Sequence, residues 1–269
     1  MKAYFIGGCH VKAFPYSEEK GFVHQVAQQQ HIRVKEVSAN VSLSRLEKTI
    51  EEINDVQPQV IVFQLGNFEF SGSLQRMLKI IFNLTPRSKK SGVTVHRPAP
   101  EPAVPETGRP NQLLIDTGFA LTQKRQALRN NRRWVKTNSL SLLYCIVYLI
   151  GFLVFNRYGS AFKALNQLLQ QLPRTCIIFL TPFPAVGRLD NLLRRLGGWV
   201  MKRKIRKQDN VYWIDTHTCI PASSYSFIDD AHLTANGHAL LAQSINQTIN
   251  RHFRHTGYAR PPLLPVLHR

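Results

Sequence analysis

Two short runs constrain this chain more than any other feature: QVIVFQL at 59–65 and TCIIFL at 175–180. Each is apolar almost throughout and too short for a helix, the pattern of a strand covered on both faces. Three further stretches read as strands: 2–6, which ends in Gly7-Gly8; 32–37, which alternates apolar and polar; and 211–214. Helical spacing fills the intervals. It appears at 18–30, at Leu43, Leu46, Ile50 and Ile53, at Phe162, Leu165, Leu168, Leu169 and Leu172, at Leu189, Leu192, Leu193, Leu196 and Trp199, and at 233–253. Strands alternating with helices predict an α/β fold, a five-stranded parallel sheet with helices on both faces. Right-handed crossovers then bring all the carboxyl ends of the strands to one edge, where such sheets bind ligands.

The residues just beyond the strands are therefore the ones that carry chemistry. Gly7-Gly8-Cys9-His10 follows the first strand and Ser38-Ala39-Asn40-Val41-Ser42 the second. Gly66-Asn67-Phe68-Glu69 follows the third, and Asp229-Asp230-Ala231-His232 precedes the last helix. Taken singly, Cys9 would be an inert packing thiol, and Asp229, Asp230 or His232 a helix cap. Brought to one rim, they supply a nucleophile, a base with an orienting carboxylate, and oxyanion donors, which is the equipment of acyl transfer. Cys9-His10 and His217-Thr218-Cys219 also follow strands, but their spacing matches no standard zinc pattern. Cys145 and Cys176 lie in apolar runs and read as packing residues, Asp215 as structural, and His238 as a helix surface residue. Four cysteines in 269 residues exclude a disulfide scaffold.

At these residues the chain resembles the SGNH (GDSL-type) hydrolases. The block DDAHLTANGHALLA at 229–242 is the most specific match, and Thr181-Pro182-Phe183-Pro184 after the fourth strand also fits. The resemblance covers about 1–70 and 156–252. It implies a three-layer α/β/α sandwich of flavodoxin-like form and hydrolysis of esters of lipids, acylated sugars or small alcohols, with no metal or organic cofactor. By position, Cys9 falls where the family has its nucleophilic serine, His232 on the general base and Asp229 on its orienting acid. Oxyanion and substrate-binding groups would come from Gly8 and the Cys9 backbone N–H, from Asn40 to Leu43 where the family has a glycine, and from Gly66 and Asn67. The sequence departs from the family at G-G-C-H in place of G-D-S, and Asn67 stands one place early in the third block. A thiol is intrinsically more nucleophilic than a hydroxyl. The chain is thus expected to cleave an ester or thioester, with an acyltransferase and a non-catalytic scaffold for an anionic partner as the alternatives.

One domain at 1–257 is expected, with an insertion at 71–155 and a tail at 258–269. The insertion holds a Pro-rich basic loop at 85–112 and an uncharged run of sixteen residues at 140–155. As a helix that run would be about 24 Å long, short of a hydrocarbon core of about 30 Å. It also separates Cys9 from His232 in sequence, so a single span would put the two on opposite sides of a membrane. A helix over the site, or one docked shallowly on a membrane face, is the consistent reading. The N-terminus lacks the long apolar region of a secretory signal, which predicts a cytoplasmic protein, peripheral at most to the inner membrane face.

The formal charge is +19, but residues 1–66 hold seven basic and seven acidic groups. Most of the excess lies in 85–136, with eleven basic against three acidic groups, and in 188–209, with eight against two. No nucleic-acid motif or aromatic-interleaved signature accompanies these stretches, which argues against a specific nucleic-acid partner. The charge reads as an accessory surface for an anionic substrate or membrane face, around a site for a small acyl ester.

Overall fold

The computed structural model of the chain describes residues 1–13, 16–38, 58–67, 69–70, 158–185, 188–221, 225–228 and 232–256, with single positions in 41–53 and 143–156 and at 223. The elements are β1 (Lys2–Gly7), α1 (Phe22–Gln30), β2 (Arg33–Ser38), β3 (Val60–Gln64), α2 (Gly159–Gln171), β4 (Cys176–Leu180), α3 (Arg188–Lys204), β5 (Val211–Ile214), α4 (Thr216–Cys219) and α5 (Ala235–His255). The five strands form one sheet in the order β2-β1-β3-β4-β5, and every pair is parallel. The fold is α/β, with helices on both faces of the sheet.

Alternation along the strands decides which helix packs where. Tyr4, Ile6, Ile61, Phe63, Ile177 and Phe179 face one way and pack with Leu165, Leu168 and Leu169 of α2 and Leu193, Val200 and Met201 of α3. Ala3, Phe5, Val60, Val62, Ile178 and Leu180 face the other way, onto Phe22, Val23 and Val26 of α1 and Leu241, Ile245 and Ile249 of α5. This is why β3 and β4 read as unbroken apolar runs: all five residues of each are buried. Leu43, Leu46, Ile50 and Ile53 are buried in the first of these cores, as their spacing predicts.

Two local expectations need correcting. The helix expected at 18–30 is broken: a 3-10 turn at Glu18–Lys20 is followed by Gly21 in an extended conformation, and α1 begins after it. The last helix is not capped by His232. Its cap is Thr234, whose hydroxyl accepts the Gly237 N–H at 3.1 Å.

The basic loop 85–112 and the tail 258–269 lie outside the described residues, as does most of the insertion 71–155. Within it Val147 packs against the α2–α3 core, whereas Leu143, Ile146 and Ile150 are exposed. Among the described residues no helix is long and apolar enough to cross a membrane.

His238, expected on the helix surface, is fully buried between α1 and α5. Its ring stacks on Phe22 at 5.9 Å, and its Nδ1 accepts the Phe22 N–H at 3.4 Å. Burial pushes its pKa from the ordinary 6.5 down to about 4. The sign follows from linkage. The unfolded chain takes up a proton near pH 6.5 that the folded chain resists, so the stabilisation from a neutral His238 is complete above that pH. It is lost as pH falls through 4, by about 3 kcal/mol in all. Burial lowers His252 and His217 in the same direction. Urea unfolding is expected to be easier at pH 4.5 than at pH 7, with a shallower pH dependence in His238→Leu. An identical dependence in the two proteins would contradict this.

Candidate active site

The strand order reverses direction between β1 and β3, and a parallel sheet opens a crevice beyond its carboxyl edge at such a point. The last paired residues there are Gly7 and Gln64. Cys9 opens a 3-10 helix at Cys9–Lys12 immediately beyond that pair. Cys9, the candidate nucleophile, thus stands at the switch point, half-buried and as a free thiol.

Gln64 fixes this turn. It is the one polar side chain in β3 and is buried, and its Oε1 accepts the Gly8 N–H at 2.9 Å. Gly7 is obligatory beside it: a Cβ there would lie 2.8 Å from the Gln64 Cβ. Gln64→Leu would keep the volume but leave the Gly8 N–H buried without an acceptor, at a cost of about 1–3 kcal/mol. The expected result is a lower urea midpoint, and an unchanged midpoint would argue against a latch.

The loop after β3 is set by Gly66, whose φ is +91° and whose Cβ, were there one, would press on Pro182 at 2.9 Å. That turn aims Asn67 at the loop after β4, where its Oδ1 accepts the Phe183 N–H at 2.8 Å. Glu69, buried, accepts the Leu43 N–H on Oε1 at 2.7 Å and so ties the loop after β2 to the loop after β3. The Leu43 and Gly8 N–H groups are therefore both engaged by side chains within the protein. Arg194 turns inward from α3, and its guanidinium donates to the carbonyls of Phe183 and Pro184 at 3.1 Å each.

His10 joins these loops to the C-terminal segment. Its ring lies 4.7 Å from Phe183 and 5.9 Å from the ring of His232, centroid to centroid. His232 is held by its backbone, its carbonyl accepting the Ile228 N–H at 2.8 Å, and by the short bridge Phe227–Leu233. Thus the segment bearing Cys9, Asn67 with its loop, and His232 share one rim. Asp229 and Asn40 lie outside the described residues. Among the described residues no three His, Cys, Asp or Glu side chains gather as a metal site. Cys176 is buried in β4, where burial drives its thiol pKa far upward and leaves it a packing residue.

Gln64 and Glu69 carry much of this architecture, and motif reading assigned neither a role. The signal for Gln64 was present: a lone amide at the carboxyl end of an otherwise apolar central strand must have a partner.

No protein-family model and no curated protein matches the chain. Solved structures do. A G-D-S-L-family protein from Desulfitobacterium hafniense is 11% identical, with a TM-score of 0.49 over 92% of this chain and 98% of that one. A lipase/acylhydrolase from Enterococcus faecalis is 12% identical, with a TM-score of 0.47 over 93% and 95%. A family two carbohydrate esterase from Clostridium thermocellum is 11% identical, with a TM-score of 0.47 over 96% of this chain and 65% of that one.

Proposed function

We propose that this chain is an SGNH-type hydrolase that cleaves a carboxylic ester or thioester through Cys9, His232 and Asp229. The observation that carries the reading is the meeting of two distant segments at the switch point. The turn holding Cys9 follows β1, and His232, more than two hundred residues later, lies against the adjacent His10. A buried packing cysteine would need no histidine from the far end of the chain.

The chemistry follows from the groups. The Cys9 sulfur attacks the acyl carbon while its proton passes to His232, whose ring Asp229 orients. The tetrahedral oxyanion is met by the Cys9 N–H and by the Asn67 side chain. The Asn67 carbonyl oxygen is already held by Phe183, so the NH2 group is what it has to offer. Collapse breaks the bond to the leaving oxygen or sulfur, which takes the proton back from His232. A thioester on Cys9 remains. Water, losing a proton to His232, attacks that thioester, and the acid departs as the thiol regains its proton.

Incubation with p-nitrophenyl acetate tests the reading directly. It should release p-nitrophenol and leave an acetyl group on Cys9 in the mass spectrum of the quenched protein. Release of none, with Cys9 unmodified, would sink it. A second reading has an observation of its own: the Gly8 and Leu43 N–H groups, both candidates for the oxyanion, are engaged by Gln64 and Glu69. That favours a scaffold that binds without turnover. It predicts equal, negligible rates for the wild type, Cys9→Ser and His232→Ala.

A further inference from the structure

A second concavity, of about 330 Å³, lies between α3 and the segments that follow β4 and β5. None of Cys9, His10, Asn67 and His232 lines it. Its wall is one face of α3, formed by Arg195, Gly198, Trp199 and Lys202, which recur at i, i+3, i+4 and i+7. Its floor is Thr181 beyond β4 and Asp215, His217 and Thr218 beyond β5. Gly198 keeps the floor accessible, because a side chain there would press on Thr181 at 3.3 Å.

The charges in this cleft are unbalanced. Arg195 and Lys202 face a single carboxylate, Asp215, whose Oδ1 already accepts the His217 N–H at 3.0 Å and lies 3.5 Å from the Thr181 hydroxyl. Burial and then the field of Arg195 hold His217 below its ordinary pKa, so it adds no third cation. Trp199 supplies a broad apolar surface. The Arg203 guanidinium lies over one face of its ring, 4.6 Å from the centroid. Two cations beside an indole, above a floor of hydroxyls, match an anion carried on an unsaturated ring. The volume exceeds what a bare oxyanion fills.

We propose that this cleft binds an organic phosphate, its phosphoryl oxygens on Arg195 and Lys202 and its ring body against Trp199. The site is separate from the Cys9 rim. It gives a specific use to part of the basic stretch 188–209, which by sequence reads only as an accessory surface for an anionic substrate or membrane face.

Calorimetric titration of the whole chain tests it, with phenyl phosphate and inorganic phosphate in solution as probes. Phenol is the uncharged control. A second arm uses phosphatidylcholine vesicles with and without phosphatidic acid. Phenyl phosphate should bind at least about tenfold more tightly than phenol, and R195A/K202A should weaken it by at least about tenfold. Trp199→Ala should weaken phenyl phosphate but not inorganic phosphate. Binding should weaken with added salt, since both cations are exposed. Binding of phosphatidic acid vesicles alone, with the same dependence on Arg195 and Lys202, would place the phosphate on a lipid headgroup and overturn the ring-bearing ligand. R206A/K207A, outside the cleft, should bind as the wild type does. Equal weakening by R206A/K207A and R195A/K202A would overturn the proposal. So would phenyl phosphate binding that survives R195A/K202A in a protein with unchanged melting, or binding in neither arm.

Discussion

His232→Ala is expected to lower kcat/KM for a p-nitrophenyl ester by about 10⁴-fold, with Cys9→Ala at least as severe. The magnitude follows from what each group supplies. Cys9 provides the bond that divides one difficult displacement into two easier ones, and without it no acyl-enzyme forms. His232 moves a proton in both halves, and a positioned acid–base group contributes about 10²–10⁴ by itself. The two act as a unit, so the double variant should be little worse than either single one. Both should melt as the wild type does: Cys9 and His232 are only half-buried, and neither belongs to the apolar clusters on the two faces of the sheet. An unchanged rate in His232→Ala would dismiss the triad even if the protein hydrolyses esters by another route. Adding an alcohol acceptor in the same assay separates transfer from hydrolysis, because the acyl group then appears on the alcohol.

Phe179→Ala is expected to cost about 3–5 kcal/mol, the largest stability loss of any substitution considered for this chain. Phe179 is fully buried on β4 and stacks between Phe63 of β3 and Trp213 of β5, each ring centroid 5.0 Å away. These three side chains run across the face of the sheet that packs on α2 and α3. Removing the middle ring exposes a cavity that strands fixed by four backbone ladders cannot close. Domains of this kind have only about 5–15 kcal/mol of stability to lose. The urea midpoint should fall sharply with the slope unchanged. A loss below about 1 kcal/mol would mean that the neighbouring rings collapse into the gap.

The strands were legible for a definite reason. A strand covered on both faces has no polar position to spare, so 59–65 and 175–180 could be read without any knowledge of their partners. The helices were legible where a stripe of leucines meets a core, as in α2 with Leu165, Leu168 and Leu169. Legibility failed where an element's environment was set by something distant. The stretch 18–30 has helical spacing, yet it breaks at Gly21 before α1 packs on α5. His238 reads as a polar helix residue and is buried because α1 lies across it. The candidate site divides the same way. Cys9, Asn67 and His232 were visible because each follows a strand or precedes a helix. Gln64 and Glu69 were not, because their meaning lies in the N–H groups they meet, fifty-six and twenty-six residues away.

The sequence by itself determined the parallel α/β class, the position of each strand, and the confinement of excess charge to the segments after residue 66. These depend on periodicity and composition, which are local. Only the tertiary structure decided the order β2-β1-β3-β4-β5, and with it the switch point between β1 and β3. It also decided that His10 would meet His232, and that Arg195 and Lys202 would face Asp215 across a cleft. The physical reason is the same in each case. Side chains that are remote in sequence meet only when backbone pairing and the burial of both sheet faces are satisfied together, and no window of sequence contains that joint condition.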